Sequence, residues 1–173
     1  MQFSLEELIP QIWKGIASQL KEAGEVEPHA LVGNTETVES NGIGHVQLGV
    51  LPKEMFNAAL AQAVTHMDAD FVVMIYEAWM RKSNTADISA IPTKLVGTWP
   101  NVERVPDVSG METVDSVVVT YVAKGGAPVV ETMALKRSES GQRSLQEDSH
   151  YKVEALSNRF LDGLFPAPAS KVH

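Results

Sequence analysis

The chain contains no cysteine. Disulfides, thiolate nucleophiles and the thiolate-bound zinc and iron–sulfur sites are therefore excluded outright. Long apolar runs are missing too, none approaching the roughly 18 residues that a membrane span requires. The opening, MQFSLEEL, lacks the basic and apolar regions of a signal peptide. These absences lead to the expectation of a cytoplasmic protein with no membrane partner. Basic residues are scarce and scattered: Lys and Arg number 14 against 22 Asp and Glu, for a formal net charge of −8. Their densest pairs are Arg81-Lys82 and Lys136-Arg137. Nucleic acid is not expected as a partner, because its phosphates are met by clustered Lys and Arg. There is no GxxxxGK(S/T) loop, no GxGxxG between a strand and a helix, no GxSxG elbow and no HExxH. No cofactor is expected.

What is present centres on Asp68–Met80, DADFVVMIYEAWM. Phe71 to Tyr76 has no polar break and is rich in β-branched and aromatic residues, the pattern of a strand inside a sheet. Phe71, Val73, Ile75, Glu77 and Trp79 fall on one face of it, and Val72, Met74, Tyr76, Ala78 and Met80 on the other. Asp68 and Asp70 mark a turn before it.

At 173 residues the chain fits one domain with a sizeable core. Ser4-Leu5-Glu6-Glu7 reads as a capping box. Leu5, Leu8, Ile9, Ile12, Trp13, Ile16 and Leu20 follow at helical spacing, and Gly24 stops the helix. Pro10 inside the pattern predicts an irregular first turn or two. Pro28–Asn34 and Ile43–Val50 are expected strands. In the second, Val46, Leu48 and Val50 alternate with polar positions, which argues for antiparallel pairing. A second helix opens at Leu51-Pro52 and buries Met55, Phe56, Ala59, Leu60, Ala63, Val64 and Met67.

Arg81–Gly110 carries Pro92, Pro100 and Pro106 and shows no clean period, with a short strand around Lys94–Trp99. Val114–Ala123 and Val129–Lys136 make a hairpin across Lys124–Ala127. Ser138–Ser149 is a polar linker expected to be mobile. Beyond it a third helix is expected over Tyr151–Phe165, with Val153, Leu156, Phe160 and Leu164 as its stripe. The fold class is α+β: one domain over residues 1–173, a largely antiparallel sheet of five or six strands, and three helices.

Few residues invite chemistry. The histidines are His29, His45, His66, His150 and His173, none paired at ligand spacing on a strand or helix. His29 and His45 can meet across the first hairpin, where a carboxylate could complete a metal site; a pair of partly exposed strand residues is the favoured reading, and no metal site is expected. Trp13 belongs to the helical core stripe. Trp79 closes the central strand, and Trp99 stands in the long segment as a candidate for recognition. Glu77 is the carboxylate to mark. Inside an apolar strand it costs several kcal/mol unless paired or protonated, and Arg81, Arg104 and Lys136 are the cations considered for it. Glu77 and His45 are the candidate catalytic residues.

Glu77-Ala78-Trp79-Met80 at the end of an apolar strand, followed by a polar, proline-containing stretch and a hairpin, resembles small uncharacterised proteins of bacteria and phages. The likeness covers roughly residues 69–135. It implies a phage or mobile-element origin and no particular activity. The functional expectation is a non-enzymatic interaction or accessory protein that associates with itself, since a central strand apolar on both faces needs two covers. The alternative is a small hydrolase or ligand-binding protein with a pocket under residues 81–110 near Glu77.

Overall fold

Helix α1 spans Leu5–Ala23, and its buried residues, Ile9, Ile12, Trp13, Ile16 and Leu20, lie on one stripe. It is followed by strand β1 (His29–Gly33), short helix α2 (Val38–Asn41), strand β2 (Gly44–Gln47) and helix α3 (Phe56–Met67), the last after a 3-10 turn at Lys53–Met55. Strands β3 (Phe71–Ser83), β4 (Met111–Ala123), β5 (Val129–Arg137) and β6 (Arg143–Glu154) complete the order. The computed structural model describes residues 2–83, 111–155 and 158–165. Among them one sheet runs β2-β1-β3-β4-β5-β6, every neighbouring pair antiparallel. The class is α+β in a single domain, with six strands and three helices among the described residues.

β3 lies inside the sheet between β1 and β4, as its composition requires, and both of its faces are covered. Phe71, Val73 and Ile75 meet α1, together with Val117, Val119 and Tyr121 of β4. Val72, Met74, Tyr76 and Ala78 turn the other way, towards Phe56 and Leu60 of α3 and Phe160, Leu161 and Leu164 near the end of the described chain. Each fully buried side chain of this size contributes roughly 1.5–3 kcal/mol, so two such layers dominate the stability of the fold. The corner before β3 is built as expected. Asp68 takes a left-handed φ of 49°, and the Asp70 carboxylate accepts the Thr35 N–H at 2.9 Å and the Thr35 hydroxyl at 2.5 Å.

Several local expectations are corrected. Ser4 occupies the N-cap of α1, but its side chain makes no cap bond. Its carbonyl instead accepts the N–H groups of Glu7 and Leu8, each at 3.2 Å. Pro10 leaves α1 continuous; it sits on the exposed side, where water can satisfy the carbonyl that lacks a donor. β2 stops at Gln47, and the chain turns where the Leu51 N–H reaches the Leu48 carbonyl, which leaves Val50 84% exposed.

The largest correction lies near the C-terminus. The stretch Ser138–Ser149 is not a linker: the Ser138 N–H bonds the Gln142 carbonyl across a tight turn with Gly141 at φ 84°, and β6 begins at Arg143. Tyr151–Glu154 belongs to that strand and not to a helix. A strand at the sheet margin can be polar on its outer side, so its composition imitates a linker. Phe160 and Leu164 are nevertheless buried, packed on the chain's own sheet from a turn. Leu156 and the expected strand at Lys94–Trp99 lie outside the described residues.

Gly33 pairs with Phe71, and a Cβ there would stand 2.8 Å from Phe71 Cζ. The ring is fully buried and stacked on Phe3 at 5.3 Å, so it has no room to yield. Gly33→Ala is expected to lower stability by roughly 1–3 kcal/mol, read from urea denaturation. An unchanged midpoint would show that the ring can move aside.

Candidate functional site

Two clusters of polar side chains interrupt the apolar layer under α1. The first gathers around Glu77, whose side chain is 12% exposed. Its partner is Arg143, the first residue of β6, with Nη1 at 2.7 Å from Oε1. Of the cations considered from sequence, only Lys136 has a described side chain, and it does not fill that role. Lys136 pairs with Ser144 in the β5–β6 ladder and so shares the face away from Arg143. The side chains of Arg81 and Arg104 lie outside the described residues. Arg143 also donates from Nη1 to the Gly24 carbonyl at 3.0 Å and from Nη2 to Asp115 Oδ2 at 3.2 Å. One guanidinium thus joins β3, β4, β6 and the C-terminal end of α1, where a cation also suits the helix dipole.

The Glu77–Arg143 contact is an ion pair without an aligned hydrogen bond, and Oε1 has no hydrogen-bond partner. Burial lifts the Glu77 carboxyl above its usual range, Arg143 and the Val26 backbone pull it down, and Asp115 adds to the rise. Pairing and a raised pKa therefore coexist at one residue, because desolvation outweighs the single cation.

The second cluster centres on Glu131 of β5, a carboxylate only 4% exposed. Trp13 Nε1 donates to its Oε1 at 3.2 Å, and the Tyr121 hydroxyl donates to Oε2 at 2.7 Å. His150 Nε2 lies 2.7 Å from Oε1. The Trp13 and His150 rings meet edge to face at 5.8 Å. Burial raises the Tyr121 pKa, and the bond to Glu131 and its charge raise it further. With both oxygens engaged, Glu131 is a satisfied buried carboxylate; His150, its side chain 39% exposed, is the member that meets solvent. Glu131 was not singled out from sequence. The signal was there: a carboxylate at an inward position between Val129 and Met133, the same pattern that marked Glu77.

His45 does meet His29 across β1 and β2, with ring centres 5.0 Å apart, but Glu77 lies in a different cluster, so the suggested Glu77–His45 set is not assembled. No group of three or more potential metal ligands occurs among the described residues. Trp13 is core, as expected. The backbone of Trp79 pairs with Asp115 in the β3–β4 ladder, its side chain lying outside the described residues together with all of Trp99. A cleft of about 370 Å³ opens between the end of α1 and the β5–β6 turn, lined by Lys21, Gly24, Arg137, Gln142 and Arg143 among others. No described helix is long and apolar enough to cross a membrane.

Comparison with protein-family models finds no match, and searches of curated proteins and of solved structures return none.

Because folding raises the Glu77 pKa, its contribution to stability is full below the ordinary carboxylate value near 4.5. That contribution falls as pH climbs through the folded value. Carbon-detected NMR should place the Glu77 midpoint above the ordinary range, and Arg143→Ala should move it higher still. A midpoint at or below the ordinary value would contradict the dominance of burial.

At Glu131, leucine would strand the Trp13 and Tyr121 donors and should cost roughly 3 kcal/mol. Glutamine should cost distinctly less, since the Tyr121 hydroxyl can turn and accept from the new amide. Equal losses in chemical denaturation would mean that the donors find other acceptors.

Proposed function

We propose that this chain is a non-enzymatic interaction protein that works through the β6 side of its sheet, self-association included. The observation that carries this reading is the position of β6. A strand running from Arg143 to Glu154 closes one end of the sheet and pairs with β5 alone among the described strands. Such a margin presents backbone donors and acceptors to a further strand. The sequence argument for self-association, an uncovered face of β3, no longer applies, since α1 and α3 cover both faces. The edge takes its place. Pairing there would be selective, because the β5–β6 ladder shifts register between Thr132 and Ala134 and Lys152 and Glu154 flank Val153. An accessory role in a phage or mobile element agrees with the Glu77–Met80 resemblance, which brings no activity of its own.

One observation favours a second reading, ligand binding or hydrolysis near Glu77: Arg143, its partner, lines the cleft at the end of α1. The interaction reading ranks above it because each buried carboxylate on this face already has its cation or donors.

Light scattering coupled to size exclusion, at tens of micromolar chain, should give a mass of at least twice 18.8 kDa. Proline placed singly at Lys152 and Val153 adds a second arm, because neighbouring N–H groups along a strand point to opposite sides. The variant whose lost N–H faces outward should keep its melting temperature and lose the assembly. A clean single-chain mass for the unaltered protein overturns self-association.

A further inference from the structure

We infer that His29 and His45 form a two-histidine site for a divalent first-row cation of the Zn²⁺, Ni²⁺ and Cu²⁺ class on the β1–β2 hairpin. The register pairs His29 with Gln47 and Leu31 with His45. These residues therefore share one sheet face, with the two imidazoles as diagonal neighbours. Their ring centres stand 5.0 Å apart with planes tilted by 34°. An imidazole centre lies about 1.1 Å from its nitrogens, so two rings bound tetrahedrally to Zn²⁺ at about 2.0–2.1 Å have centres roughly 5 Å apart. The observed spacing is the one a shared cation needs.

The ring of His29 is held by a backbone contact. Its Nδ1 lies 2.7 Å from the Glu27 carbonyl, an acceptor only, so Nδ1 carries the proton and Nε2 keeps its lone pair. This is the arrangement that holds ligating histidines in place elsewhere: the second nitrogen is bound to a carbonyl or carboxylate, which fixes tautomer and direction. His45 is exposed, which gives the cation access. Gln47, opposite His29 on the same face and also exposed, is the nearest protein oxygen donor by register. Water supplies the remaining positions, and the imidazole pair selects against Mg²⁺ and Ca²⁺, which prefer oxygen.

The test is calorimetric titration of Zn²⁺ into the full chain after chelator treatment, with Mg²⁺ as a parallel arm. One equivalent of Zn²⁺ should bind and Mg²⁺ should not. His45→Ala, at an exposed position, should weaken Zn²⁺ binding by at least about tenfold, while His66→Ala should leave it unchanged. Proton NMR should show the His29 and His45 ring signals moving together on Zn²⁺ addition. Absence of binding at millimolar Zn²⁺, or undiminished binding in His45→Ala, overturns the site. Circular dichroism of each variant separates loss of the site from loss of the fold.

Discussion

Burial of β3 on both faces is the constraint from which the rest of the architecture follows. A strand whose odd and even residues are both apolar cannot leave either side to water, so the sheet needs a cover above and below. α1 supplies one through a stripe of five buried residues. α3, with Phe160, Leu161 and Leu164, supplies the other. The chain crosses the sheet to reach each cover, and β1 is placed between β2 and β3. That placement keeps β3 away from an edge, where half its backbone groups would lack partners.

Covering the α1 face traps two carboxylates, and the way each is accommodated explains the β5–β6 hairpin. Three strand spacings, roughly 14 Å, separate β6 from β3 in a flat sheet, further than an arginine and a glutamate can comfortably reach together. Arg143 nevertheless lies 2.7 Å from Glu77, and its bond to the Gly24 carbonyl ties the start of β6 to the end of α1. His150 comes to Glu131 at the irregular part of the β5–β6 ladder, where Thr132 faces Tyr151 and Ala134 faces Gln146. Removing one partner of a buried charge costs about 3–5 kcal/mol, far more than an exposed pair contributes. The residues that look most like chemistry are therefore the ones that anchor the sheet's polar margin to its helix.

How much of this was legible depended on whether the local pattern had one reading. β3, the stripe of α1, the β4–β5 hairpin and the turn at Asp68–Asp70 each show a single period or a specific turn residue, and these were readable. β6 was not. Its apolar residues Leu145, Tyr151 and Val153 are interrupted by charges and by an irregularity, and Val153, Phe160 and Leu164 happen to fit a helical spacing as well. Missing β6 hid both Arg143 and His150, so Glu77 was recognised as needing a cation while the cation itself was sought elsewhere. The meeting of His29 and His45 was legible because a hairpin fixes its own register. The carbonyl that fixes the His29 tautomer was not, since it depends on the backbone path at Glu27.

The β3–β4 ladder runs to its last rung, with Ser83 opposite Met111. The connection of residues 84–110 therefore begins and ends at one point of the sheet, its ends held by cross-strand pairing and not by its own length. The entropy of closing such a connection grows only logarithmically, about 0.6 kcal/mol for each doubling. A connection of different length joining the same two strand ends would consequently cost the ladder little. The ladder works as a socket: the two strands are fully paired with each other up to the rung from which the connection leaves.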